Sequence, residues 1–194
     1  MLATWVSTVN LLFAVASISL IAKNLATETV FFENAPDWLT EQQVEKAARP
    51  IESYLQWDKL RLKAVYYRNQ NEFESLHHQG PSVKAFFRRS DRTVHIGPGV
   101  TAENFIPIFS HEWVHAIFFL KYHGAIPLWL EEGFANYLAK LGFVDYRWLS
   151  TQPFVDVQKL VHPMQDVSGL KFHYQTATAL VEMIASKCSL PDLL

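Results

Sequence analysis

Residues 108–119 read IFSHEWVHAIFF. The run is apolar at both ends, yet it holds two histidines and a glutamate. Ionisable groups inside an apolar helix are costly unless something binds them. His111 and His115 are four apart, so on a helix they stand on one face, one turn from each other. Two imidazoles so placed can meet one zinc ion at about 2.0–2.1 Å each. Glu112 lies about 100° further round the helix, close to a water on such an ion and not needed as a ligand. The stretch His111-Glu112-Trp113-Val114-His115 therefore matches H-E-x-x-H, two metal donors with a base beside them. The competing reading, a pair of satisfied core histidines, fits less well. Ile108, Phe109, Ile117, Phe118, Phe119 and Leu120 leave these groups no obvious water.

The helix is expected to start at Asn104 as N-cap, with Pro107 in its first turn, and to stop at Gly124 after His123. A catalytic zinc needs a third protein ligand and an open fourth position. The extended pattern with a glycine three residues after the second histidine, and a histidine three beyond it, is excluded by Phe118 and Lys121. His123 is two turns past His115, too far along the axis. The next helix, expected from about Pro127 to Leu141 and closed by Gly142, offers Glu131 and Glu132. Glu132 shares a face with Trp129, Ala135, Asn136 and Ala139, where small alanines allow a close approach. Glu131 lies nearer Phe134 and Leu138. Periodicity leans towards Glu132 and leaves Glu131 open.

Further out, TVFFE from Thr29 and LRLKAVYYR from Leu60 read as strands. SVKAFFRR and RTVHIG flank a turn and read as a hairpin, ended by Gly97-Pro98-Gly99. Between these lie PDWLTEQQVEKAARPIESYLQW, helical but expected to kink or break at Pro50, and NEFESLHHQ, one or two helical turns. Two more helical segments are expected, near 153–162 and 173–188. SLPDLL at the C-terminus reads as the start of another helix, so a continuation is expected. Strands first and helices after imply an α+β domain with its sheet on one side.

The chain has 194 residues, 49% hydrophobic and 19% charged, which suits one folded domain and argues against disorder. A net charge of -2 gives no basic field for nucleic acid. Cys188 is the single cysteine, so no internal disulfide forms and no cysteine-rich zinc site exists. It reads as a small buried side chain near a helix end. Residues 2–22 carry no charge, which suits a signal peptide or an N-terminal membrane anchor. The domain boundaries expected are 1–28 for that segment and 29–194 for the folded unit. An extracytoplasmic location, periplasmic or secreted, follows from it. His77 and His78 read as exposed, and His95 and His162 as non-ligands. Arg88, Arg89 and Arg92 around Asp91 read as a solvated hairpin turn.

The pair HEWVH and PLWLEEGFANYL resembles the gluzincin metallopeptidases, most closely the peptidase MA-like domains. The resemblance is specific at 111–115 and 127–137, and weaker at 174–184. It implies a zincin-like fold and a single zinc ion held by His111, His115 and Glu132, the glutamate just before the glycine. It implies that Glu112 is the general base and that the substrate is a peptide or protein. In aminopeptidase-N-like members a tyrosine opens a Y-x-x-(G/A)-x-x-L helix and faces the reacting carbonyl. YQTATALVEMI resembles that helix, so Tyr174 would stabilise the oxyanion, with His173 as the adjacent alternative. The G-x-M-E-N motif of those members is absent, which argues against aminopeptidase activity. Asn136 is either a partner of a ligand or a surface amide. One hairpin strand, 83–87 or 93–96, is expected to pair with the peptide. Two other readings stand beside this one: a membrane-anchored binding or assembly protein with a structural zinc, and a zinc hydrolase of a non-peptide bond. Glu112 weighs against the first, since a structural site needs no base. Oligomeric state is not legible.

Overall fold

The computed structural model describes residues 23–57, 60–77, 82–154, 156–160 and 167–193. The expected leader or anchor at 2–22, together with His78 and His162, lies outside the described residues. Among the described residues no helix is long and apolar enough to cross a membrane.

Five short strands form one sheet: β1 Lys23–Ala26, β2 Val30–Ala35, β3 Leu62–Tyr66, β4 Ala85–Arg88 and β5 Thr93–Ile96. Their order is β1-β2-β3-β5-β4. The three inner strands run parallel, and β1 and β4 close the two sides antiparallel. The crossover between β2 and β3 is helix α1, Glu41–Leu55. Thr40 and Gln43 cap it reciprocally, each side chain answering the other's backbone N–H, which removes two orphan donors. Its apolar stripe, Val44, Ala47, Ala48, Ile51 and Leu55, is buried. Short helix α2, Gln70–Glu74, follows β3 and packs Phe73 against Phe86.

Helix α3, Phe105–Tyr122, is apolar nearly all round and is correspondingly buried. Phe105, Phe109 and Trp113 stack along it with ring centres 5.1 and 5.4 Å apart. Phe32 of β2 meets the first two rings at 6.2 and 6.3 Å. Two polar links tie α3 to α1: Ser110 Oγ donates to the Ala47 carbonyl at 2.8 Å, and Trp113 Nε1 donates to buried Glu52 at 3.0 Å. A short turn through His123 and Gly124, both in the left-handed region at φ 52° and 81°, leads to α4, Leu128–Ala139. Helix α5, Tyr146–Leu149, precedes α6, Val167–Ala185, and α7 is Leu190–Leu193. Helix α4 lies between α3 and α6.

The expected α+β class, the hairpin and the helix of residues 108–119 hold. Several details differ. Helix α1 continues through Pro50, which is exposed, so the hydrogen bond it cannot donate costs little against the buried stripe. Strand β1 pairs with β2 on the N-terminal side of Thr29, so the sheet starts earlier than expected. Where a helix was expected near 153–162, the described residues form only a 3-10 turn, Val157–Lys159. Helix α6 starts at Val167, which puts Tyr174 in its interior. His77 is buried against Phe73 and Phe86, ring centres 4.9 and 5.1 Å away, while Cys188 is exposed.

Candidate metal centre

Helix α3 presents His111 and His115 one turn apart, and α4 brings Glu132 opposite them. The two Nε2 atoms are 3.2 Å apart, and Glu132 Oε2 lies 3.5 and 3.6 Å from them. An ion that holds ligands tetrahedrally at about 2.1 Å sets them about 3.4 Å from one another. The three edges match that spacing, and the donor set of two imidazoles and one carboxylate suits a divalent transition metal. Glu132 Oε2 and His111 Nδ1 are buried and have no hydrogen-bond partner among the described residues. A buried carboxylate oxygen without a donor is costly, and a cation relieves that cost. The protein therefore has a buried group of His111, His115 and Glu132 able to hold a metal ion.

The charges agree. Burial alone would lower the His115 pKa, but Glu132 and then Glu131 outweigh it and lift it well above the ordinary imidazole value. Burial alone would raise Glu132, but His115 and His111 outweigh it and hold it well below the ordinary carboxylate value.

Glu131 also takes part. His115 Nδ1–H donates to Glu131 Oε1 at 2.7 Å, so in the neutral ring the Nε2 lone pair faces the donor triangle. Outer carboxylates of this kind fix the tautomer and the ring angle of a ligating histidine. Glu131 is in turn met at 3.2 Å by Nη2 of Arg89, which directly follows β4. So Arg89 belongs to the exposed turn, as expected, but also reaches Glu131, a partner that the turn reading does not include. Arg88 pairs within the turn, at 2.5 Å from Asp91 Oδ2. The sequence signal for Glu131 was a second carboxylate in an otherwise apolar helix. Arg89 had none, because its partner is 42 positions away.

Glu112 is buried beside the triangle, and its Oε2 accepts the Phe87 N–H of β4 at 2.8 Å. That N–H points away from β5, so β4 is a sheet edge whose outward groups face the site. Strand β5 is interior, so of the two hairpin strands 83–87 is the one with an open edge. Lys84 accepts from Gly97 N towards β5, so by alternation Ala85 presents its N–H and C=O to the open side. The site opens into a cleft of about 1210 Å³. Its walls include Phe87, Ile108, Ile126, Phe143 and Tyr174. Burial first, then Glu132 and Glu112, raise the Tyr174 hydroxyl pKa, so the phenol keeps its proton beside the carboxylates. His173 is buried in the α6 packing and does not line the cleft. Asn136 lines it, but makes no hydrogen bond to the three donors among the described residues. His123 caps α3 and is exposed, away from the triangle.

Gly133 explains how α6 comes so near. A Cβ there would lie 2.4 Å from the Ala177 carbonyl oxygen, so only glycine permits this approach. No family model matches the chain, and no curated protein matches it in sequence.

Proposed function

We propose that the chain is a zinc-dependent metallopeptidase of gluzincin type on a zincin-like fold. The observation that carries the reading is the donor triangle opening into a cleft, with Glu112 buried beside it and hydrogen-bonded to an open sheet edge. A metal that only braced the fold would be closed off by a fourth protein ligand. Zinc held by His111, His115 and Glu132 would supply Lewis acidity to a water and to a carbonyl.

The chain's own groups account for the rest. The Ala85 N–H and C=O can bind an extended backbone, which favours a peptide over other hydrolysable groups. Glu112 would take a proton from the attacking water and deliver it to the leaving amine. The Phe87 N–H holds its carboxylate in position. Tyr174 keeps its proton and can donate to the charge that develops on the carbonyl oxygen.

The test is metal content followed by peptide hydrolysis. We expect about one zinc per chain, by the three-ligand argument. His111→Ala with His115→Ala should lose it. Glu112→Gln should keep the metal and lose turnover. Full metal occupancy in the double histidine variant, or turnover at the original rate in Glu112→Gln, would refute the reading.

A further inference from the structure

The cleft has a cation at the end of its edge strand. Arg89 follows β4 directly, two residues past Phe87, whose N–H marks the position of Glu112. A strand rises about 3.3 Å per residue, so Arg89 sits roughly 7 Å along the edge from that point. The hairpin turn does not need it. Arg88 engages Asp91, and Asp91 Oδ2 also meets His95 Nε2 at 3.2 Å. Arg89 turns instead to the cleft, where its guanidinium carbon lies 5.7 Å from the centre of the Phe119 ring.

Only Nη2 engages a described side chain, that of Glu131. A guanidinium has five N–H donors, so most of its capacity is uncommitted. The side chain is 51% exposed, whereas that of Glu131 is 5% exposed. Glu131 and the Phe119 ring hold the plane of the fork in advance, which suits planar recognition of a carboxylate. Lys84, the other cation of the cleft wall, lies at the opposite end of β4 and makes no such fixed pair among the described residues.

We propose that Arg89 is a specificity-determining residue that binds a carboxylate of the substrate within about three residues of the cleaved bond. The inference rests on the peptidase reading. The carboxylate comes either from an Asp or Glu side chain or from a free chain end, and the test separates the two.

Short peptides blocked at both ends, identical except for Glu or Gln at one scanned position, give the first comparison. A pair that differs only in a free or an amidated C-terminus gives the second. The readout is the ratio of kcat/KM within each pair. Taking it within one enzyme cancels any harm that a change at Arg89 does to Glu131. One charge-assisted hydrogen bond at a half-exposed site should give a preference of about tenfold. It should shrink at high salt, fall to near unity in Arg89→Gln and be partly kept in Arg89→Lys. A preference confined to the free C-terminus supports carboxylate binding and identifies the chain end as its source. Ratios near unity throughout, or a preference that survives in Arg89→Gln, overturn the proposal while hydrolysis of the neutral peptides leaves the peptidase reading standing. If no peptide is cleaved, the peptidase reading fails. Affinities of the same pairs for the Glu112→Gln chain, with and without Arg89→Gln, then decide the role of Arg89 by the same ratios.

Discussion

Gly133→Ala adds a single methyl group at the seam between α4 and α6. Its carbon would lie 2.4 Å from the Ala177 oxygen, 2.9 Å from the Ala177 carbonyl carbon and 2.7 Å from Val181 Cγ2. Ordinary contact begins near 3.4 Å, so the gap is short by 3.4 − 2.4 = 1.0 Å at the oxygen. Two of the three obstacles are backbone, so a rotamer change cannot relieve them, and α6 must retreat. Overpacking of this kind costs about 1–3 kcal/mol, and a rigid obstacle puts it in the upper part of that range. Alanine returns about 1 kcal/mol of helix propensity. The expected net loss is about 1–2 kcal/mol, a Tm drop of about 2–8 °C for a chain of this size. Calorimetry and urea unfolding would measure it. Removing Val181 Cγ2 as well, in Gly133→Ala with Val181→Ala, should not restore stability, because the carbonyl remains. Turnover should fall further than metal content, since Tyr174 moves with α6 while the three donors do not. A Gly133→Ala chain as stable as the original, or more stable, would refute the close packing of α4 on α6.

Glu131→Ala should weaken metal binding about 10- to 100-fold in a chelator competition, and Glu131→Gln should weaken it less, because it keeps an acceptor for His115 Nδ1–H. Tyr174→Phe should fold, keep its metal and its KM, and lose about 100- to 1,000-fold in kcat. Near-normal turnover would make Tyr174 a packing residue. Burial lifts the Glu52 pKa above the ordinary carboxylate value, against the hydrogen bonds from Thr29 and Trp113. The folded chain therefore binds that proton more tightly than the unfolded one, and stability is lost as pH rises from the unfolded value through the folded one. Glu52→Gln keeps the accepting oxygen, so it should stabilise the chain near pH 7 by up to about 1 kcal/mol, with the gain vanishing near pH 4.

Local spacing explains what was legible. His111 and His115 are a helical turn apart, so five letters of sequence imply their shared face. The hairpin is legible for the same reason. Glu131 and Glu132 differ by one step round a helix, and periodicity only leans between them; the packing of α4 on α3 assigns both, one to the donor triangle and one to His115 Nδ1. Arg89 reads as solvent-facing because its neighbours Arg88, Ser90 and Asp91 do form a turn, and its partner belongs to another helix. Strand β1 has a half-exposed, four-residue pattern with no period strong enough to find. The resemblance puts Tyr174 at a helix start; the structure begins that helix at Val167, almost two turns before Tyr174.

The three donors fall between residues 111 and 132, on two helices joined by a short turn. Closing so short a loop costs little entropy. Tyr174, by contrast, reaches the cleft only after α6 has docked against Gly133. On the proposed function, a chain emerging during synthesis, or one refolding from denaturant, would hold its ion before Tyr174 is in place to stabilise an oxyanion. Metal stoichiometry would then report on the helical hairpin alone, and a fully loaded preparation would still include chains whose α6 has not docked. Counting competent molecules calls for a reporter on α6.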